Sequence, residues 1–357
     1  MKHLNLLLIF IPVSLASDYF NVDARLTFAA TCLAIVPLAV LISDATEQIS
    51  IYTGSKIGGL LNATMGNIPE LFIGLFAVKA GLYKLMLASM AGSIIGNLMF
   101  VLGMSILCGG IIYSTQTFDK AVARSNFSLL FFAAISLIVP LAFKLTHAGS
   151  ARLDHALIVI SFTIALILLI IYLTGLIFSL FQQRNLFLGH DHNNNNDNNN
   201  GKQSKWSLSF AISVLAITIF FVALESELLI TKVKSVITSL NLPEIFIGII
   251  IIPILGNVAE HASAIMMAVR NKVDISLEIA IGSSVQIAML VTPILILYSF
   301  TLANPLIYVY DPFVVVAVIT AIFLSLYVVQ DGKTFWLEGA LLVFSYIIFC
   351  VMFFYDD

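Results

Sequence analysis

Charge is what this sequence has least of. Asp, Glu, Lys and Arg make up 10% of its 357 residues, hydrophobic residues make up 60%, and the mean hydropathy is +1.04. An ordinary soluble domain carries about 25% charged and about 45–50% apolar residues. The composition therefore excludes such a domain, and it equally excludes disorder, which needs low hydrophobicity and high charge. Neither sign of charge dominates, with 17 basic residues against 20 acidic ones, a balance that offers nothing to nucleic acid. Cysteine is scarce too. Cys32, Cys108 and Cys350 sit singly inside apolar runs, with no CxxC or other metal spacing, and read as buried thiols. There is no HExxH, no GxSxG and no Cys/His ligand set, so an intramembrane hydrolase using Glu260 and His261 lacks its machinery. The protein is read as a non-enzyme with no cofactor. Alternation in ten-residue units, the mark of a membrane barrel, is missing as well.

What is present is a series of apolar runs. A spanning helix takes about 20 residues. The runs place spans near Leu4–Ala16, Leu26–Ile42, Ile57–Val78, Leu85–Tyr113, Phe127–Phe143, Ala156–Phe181, Leu208–Leu224, Ile245–Val269, Leu277–Phe300, Pro312–Val329 and Phe335–Tyr355. The expected fold is an all-α polytopic membrane protein of about 11 transmembrane helices in a lipid bilayer. The first segment (residues 1–20) reads two ways. Lys2 and His3 before a short apolar run, with Ser14-Leu15-Ala16-Ser17 after it, resemble a signal peptide, and a retained N-terminal helix is the reading preferred here. Residues 182–206 form an Asn-rich linker, with His190-Asp191-His192 ahead of the Asn193–Asn200 run. Lys and Arg divide ten against seven between the two faces, which puts the N-terminus and the linker in the cytoplasm.

The linker separates two halves, residues 26–181 and 207–355, of five spans each. The halves echo one another. Gly66-Asn67-Ile68-Pro69-Glu70 answers Gly256-Asn257-Val258-Ala259-Glu260, and Gly92-Ser93 answers Gly282-Ser283, both at an offset of 190 residues. An odd number of spans per half sends the second repeat into the membrane in the opposite sense. Inverted five-helix repeats of this kind characterise secondary transporters, which bind substrate where the repeats meet.

Charge inside the spans then becomes informative. Glu70 is the only charged residue between Ile57 and Val78, and Glu260 the only acid between Ile245 and Val269. A charge at a helix centre costs roughly 2.5–3.5 kcal/mol on insertion scales, and neither span offers Lys or Arg as a partner. Such a carboxylate can take a proton or bind a cation. Two together would neutralise one divalent cation, and loss of that cation would favour their protonation. Oxygen donors surround them in the sequence. Asn67 and Asn257 each lie three residues ahead of the acid, on the same helix face. Ser89, Ser93 and Asn97 form a stripe at i, i+4 and i+8, and Ser283, Ser284 and Gln286 stand opposite them in the second half. Calcium takes six to eight such oxygens. The stripes also suit plain helix-to-helix adhesion, and His261 suits a local hydrogen bond as well as an ion path. Gly66, Pro69, Pro253 and Gly256 can loosen the helices and free backbone carbonyls.

At these residues the sequence resembles the calcium/proton exchangers, a branch of the calcium:cation antiporter superfamily, from about Leu26 to Tyr355. The motifs are GNIPELFIG with ASMAGSIIGNLMFVLG, and PILGNVAEHASAI with AIGSSVQIAMLVTP. Ala45-Thr46-Glu47 and Leu242-Pro243-Glu244 are also similar. The resemblance implies that Glu70 and Glu260 are the exchanging carboxylates and calcium and protons the ligands. Asn67, Asn257, Ser93, Asn97, Ser283 and Gln286 would line the ion path, with His261 close by. The second and seventh spans would be gating helices, in a cycle that admits protons and expels cytosolic calcium. Leu87 departs from the glutamine common in relatives, and the linker departs from their acidic one. A sodium- or manganese-linked exchanger and a passive calcium channel are the alternatives, although sodium-coupled relatives have a GTS-like first motif. Short termini and loops favour a plasma (inner) membrane over a vacuolar one.

Overall fold

Helices begin where the sequence supplies a cap. Asp23 accepts the Arg25 amide at 2.8 Å ahead of α2 (Ala24–Thr53), and Ser207 accepts the Phe210 amide at 3.3 Å ahead of α7 (Leu208–Leu240). Asp311 does the same for Phe313 ahead of α11 (Pro312–Val329), where Pro312 needs no donor. The computed structural model describes residues 4–54, 58, 61, 64–182 and 205–356. The stretch with His190, His192 and the asparagines lies outside the described residues, as does part of the span expected over Ile57–Val78.

A 3-10 turn, Leu4–Ile9, leads into α1 (Phe10–Tyr19), and α2 follows. Next come α3 (Ile68–Lys79) and α4 (Tyr83–Tyr113), which carries a π-helical stretch at Gly96–Val101. The first half closes with β1 (Thr115–Thr117), α5 (Lys120–Thr146) and α6 (Leu153–Gln182). The second half runs through α7, α8 (Glu244–Gly256), α9 (Val258–Val269), α10 (Val273–Ser299), α11, β2 (Lys333–Phe335) and α12 (Trp336–Phe354). π-helical stretches recur at Ile247–Ile251 and Ile287–Val291, and such bulges gather at functional places in helices.

Among the described residues, eight helices are long and apolar enough to cross a membrane, and nine such spans result if α8 and α9 count as one. Broad faces of the outer helices stay apolar and exposed, for example Ile138, Ile167, Ile170, Phe344 and Ile348, as lipid contact requires. The chain is an integral, multi-pass, all-α membrane protein.

Three boundaries differ from the hydropathy reading. The second span ends not at Ile42 but at Thr53, so Ala45-Thr46-Glu47 lies inside α2 and not after it. The seventh runs past Leu224 to Leu240. Polar residues end an apolar run, but they do not end a helix whose other face is packed. Here Leu38, Ile42, Ala45 and Ile49 of α2 form a core with Ala211, Leu215 and Val222 of α7. The third difference is the break in the eighth span. α8 and α9 meet at 65° around Asn257, where a continuous helix over Ile245–Val269 was expected. Asn257 adopts φ −98°, ψ 9°, and Asn67, ahead of α3, adopts φ −93°, ψ 15°. Both are in the sparsely populated bridge region.

The α2–α7 pair, with α1 against it, flanks the main core. In that core α4 and α10 are the most enclosed helices. α8 and α9 pack on α4, and α5, α6, α11 and α12 surround them. Outside the spans, β1 and β2 pair antiparallel with Gln116 opposite Thr334. Gln116 Nε2 donates to Ala268 O at 2.9 Å and to Asn271 Oδ1 at 3.1 Å, fastening the end of α9.

Candidate functional site

The two breaks set up the site. Each restarts a helix inside the protein, and each restart carries an acid in its first turn: Glu70 in α3 and Glu260 in α9. The sequence reading put both near the middle of continuous spans. The structure puts them at helix N-termini, where unpaired amides and the helix dipole favour negative charge. Pro69 suits its place at the start of α3, since it has no donor to lose. The second break forms without a proline at that position. There Asn257 fills the gap, its amide and its Nδ2 both donating to Pro253 O at 3.1 Å.

Glu70 is 1% exposed, and neither of its carboxyl oxygens has a hydrogen-bond partner among the described residues. Glu260 is half-buried, with Oε2 likewise unpartnered. The two lie close enough for their charges to interact. Gly256, at the end of α8, closes over the first acid: a Cβ there would sit 2.5 Å from Glu70 Oε1. Glycine at this position lets the second half's backbone lie on the first half's carboxylate.

Amides and hydroxyls connect the halves around the acids. Asn67 Nδ2 donates to Gln286 Oε1 at 2.6 Å, and Ser283 Oγ donates to Asn67 Oδ1 at 3.5 Å. Asn97 Nδ2 reaches Ser283 Oγ at 3.1 Å, and Ser283 also faces Glu260. Asn257 Nδ2 reaches Ser93 Oγ at 3.3 Å. The bonds made by Asn67 to Gln286 and Ser283, by Asn97 to Ser283 and by Asn257 to Ser93 all cross from one half to the other. Asn67, Ser93, Asn97, Asn257 and Ser283 are all buried, as interior polar groups with partners can be. Asn257 Oδ1 and Ser89 Oγ are buried without hydrogen-bond partners among the described residues.

Two predicted site residues stand apart. Ser284 turns its hydroxyl back to Ala280 O of its own helix at 2.9 Å. The His261 ring packs edge-on against Phe100, with centroids 6.2 Å apart. Among the described residues no three His, Cys, Asp or Glu side chains converge as a metal cluster. A hard cation here would therefore draw on amide, hydroxyl and carbonyl oxygen beside the two acids.

The sequence reading passed over other intrahelical acids, Glu225 and Glu278 among them. Glu225 was passed over because the seventh span was ended at Leu224. It is fully buried in α7 and accepts a hydrogen bond from Ser14 Oγ of α1 at 2.7 Å. Glu278, in the second turn of α10, stands just inside the span expected over Leu277–Phe300. The apolar run that resumes at Leu228 after Glu225, and the apolar neighbours Leu277 and Ile279 of Glu278, were the available signal.

Fold and site together define a polytopic transporter of the cation-exchanger class. The profile of the sodium/calcium exchanger protein family matches residues 24–181 and 210–355. The Ca(2+)/H(+) antiporter of Aphanothece halophytica is 38% identical over 360 residues, covering 98% of this chain and 95% of the relative. The vacuolar calcium ion transporter of Schizosaccharomyces pombe is 35% identical over 354 residues, covering 99% and 85%. The crystal structure of the selenium-substituted Ca2+/H+ antiporter protein YfkE matches with a TM-score of 0.83 at 35% identity, covering 99% of this chain and 100% of that one. The chain belongs to the sodium/calcium exchanger protein family, in its calcium/proton antiporter branch.

Proposed function

We propose that this protein is a secondary active Ca2+/H+ antiporter that removes calcium from the cytosol in exchange for protons. One observation carries the reading: two acids with carboxyl oxygens unpartnered among the described residues, Glu70 and Glu260, begin equivalent half-helices beside one buried polar network built from both halves. In the cycle the two carboxylates hold either one calcium ion or protons. Asn67, Asn257, Ser89, Ser93, Asn97, Ser283 and Gln286 supply neutral oxygens along the path. Ser284 and His261 flank it. The calcium/proton relatives support this ion pair over a sodium- or manganese-linked exchange or a passive calcium channel.

The finer architecture belongs to the same reading. Eleven spans comprise an N-terminal helix (residues 1–20) and two inverted five-helix repeats, residues 26–181 and 207–355, joined by a cytoplasmic linker at 182–206. The recurrence of break, acid and π-helical stretch at matching places in both halves supports it. α2 and α7, packed together with a core of their own, are the gating helices. A plasma (inner) membrane is the preferred site of action; a vacuolar relative keeps the second location in view.

The test is calcium uptake into vesicles holding the purified protein under an imposed pH gradient. Uptake that rises with the proton gradient is expected. Uptake indifferent to pH but driven by sodium overturns the proton reading, and rapid flux without any coupling favours the channel.

A further inference from the structure

An acid interrupts the stripe by which α7 packs on α2. Ala211, Leu215, Thr218, Val222, Glu225 and Leu229 follow one another at helical spacing, all of them buried. Glu225 stands where the stripe calls for an apolar residue, and its exposure is 0%. α1 meets it there. Ser14 is the buried residue of α1, and its Oγ lies 2.7 Å from Glu225 Oε1. Thr31 of α2 faces the same carboxyl. Three helices thus converge on one carboxyl group outside the exchange site.

The hydrogens at hand do not suffice for an ionised group. Ser14 Oγ carries a single hydrogen, yet it lies 2.8 Å from Ile11 O as well as 2.7 Å from Glu225. Thr31 Oγ1 gives its hydrogen to Thr27 O at 2.9 Å. An ionised Glu225 can only accept, so it would draw the Ser14 hydrogen away from Ile11 O. A proton of its own lets Glu225 donate to Ser14 while Ser14 donates to Ile11 O, and both short distances are then bonds. Among the described residues no basic group pairs with Glu225. The charges of the packed elements engage one another: Asp18 of α1 with Lys232 at 2.6 Å, Asp23 of α2 with Arg25 at 2.6 Å, and Lys79 of α3 with Glu227 at 3.7 Å. Asp44 and Glu47 stand more than three turns beyond Thr31 on α2, and Glu70 of α3 belongs to the exchange site. An unpaired buried charge is so costly that such a group takes a proton instead.

We propose that Glu225 is a proton-binding site separate from the exchange centre, a neutral carboxylic acid whose proton fastens α1 to the α2–α7 pair. The proton is its only ligand, because two neighbouring hydroxyls are too few for a cation that takes six to eight oxygens. Loss of the proton would leave a bare charge among three helices and loosen α1.

Infrared difference spectra between the full-length protein and Glu225→Gln, both in vesicles at neutral pH, test it. The unaltered protein should show a protonated-carboxyl band that Glu225→Gln lacks. In Ser14→Ala that band should persist and move to higher frequency, its hydrogen-bond partner gone. A carboxylate band lost in its place overturns the proposal. So does a Glu225→Gln protein that fails to fold, since glutamine copies the shape of the neutral acid and still donates to Ser14. Thermal unfolding supplies the pH dependence. Glutamine has no proton to lose, so the midpoint of the unaltered protein should drop about 2–4 °C below that of Glu225→Gln as the pH is raised from neutral to alkaline. Midpoints that move in parallel overturn the proposal. Neither measurement reads transport, so the outcome is independent of the antiport reading.

Discussion

Asn257 donates from Nδ2 to Ser93 Oγ at 3.3 Å, and its counterpart Asn67 receives from Ser283 Oγ at 3.5 Å. The two bonds join the same pair of positions with the halves exchanged. Asn257 also secures the free carbonyl of Pro253 at the break, so it holds both the backbone and the site. Asn257→Ala should slow calcium uptake by about 10- to 100-fold, the usual cost of losing a group that orients a metal site. Ser93→Ala, which leaves the Pro253 bond intact, should cost less. Initial rates in vesicles check the order, and equal effects would contradict it.

Glu70→Gln and Glu260→Gln should each abolish exchange while the protein still folds. Glutamine keeps the shape but can hold neither a proton nor a cation's charge. Glu70 has no described hydrogen-bond partner to lose, so its thermal midpoint in detergent should hold steady or rise. Removing an uncompensated buried carboxylate is not a loss to stability. Near-normal transport in either variant would remove that residue from the site.

Gly92 and Gly282 occupy equivalent positions but should respond differently to alanine. At Gly92 the new methyl meets the Ile249 backbone, which cannot swing aside as a side chain can. Overpacking of this kind costs about 1–3 kcal/mol. At Gly282 there is room among the described atoms. Thermal unfolding should show a lowered midpoint for Gly92→Ala and little change for Gly282→Ala.

Ser14→Ala should destabilise the protein by about 1–3 kcal/mol, the cost of leaving a buried polar group unmatched. The bond lost is the one at 2.7 Å to Glu225, whose other oxygen lacks a hydrogen-bond partner among the described residues. Ser17→Ala is the control. Its hydroxyl donates only to Ser14 O, in a half-buried place on the same helix, and its thermal midpoint should barely move.

Most of the candidate site was legible in the sequence, and less of its frame. Hydropathy exposes a charge in an apolar run, so Glu70 and Glu260 stood out. The repeat offset paired them, and their polar neighbours followed from spacing. Helix ends were harder. Ser43–Thr53 looks like a loop by polarity, yet its buried Ala45 and Ile49 pack on α7, and that packing is written in another part of the chain. The 65° bend at Asn257 was hinted at by Pro253 and Gly256 but not fixed by them. The Ser14–Glu225 bond joins residues 211 apart, with no local pattern on either side to announce it. Strands were excluded as spans, and three-residue β1 and β2 are too short to show alternation.

That small sheet bears on the order in which the molecule is made. β1 is synthesised after only about a third of the chain, but its partner β2 begins at Lys333, with α12 alone to follow. During synthesis β1 therefore waits, its edge unmatched, while almost every other helix enters the bilayer. Closure of β1 on β2 is among the last events of assembly. A chain cut short before Lys333 would keep all of Glu70, Glu260 and their polar neighbours and still lack this fastening, leaving an open strand edge that marks the product as unfinished.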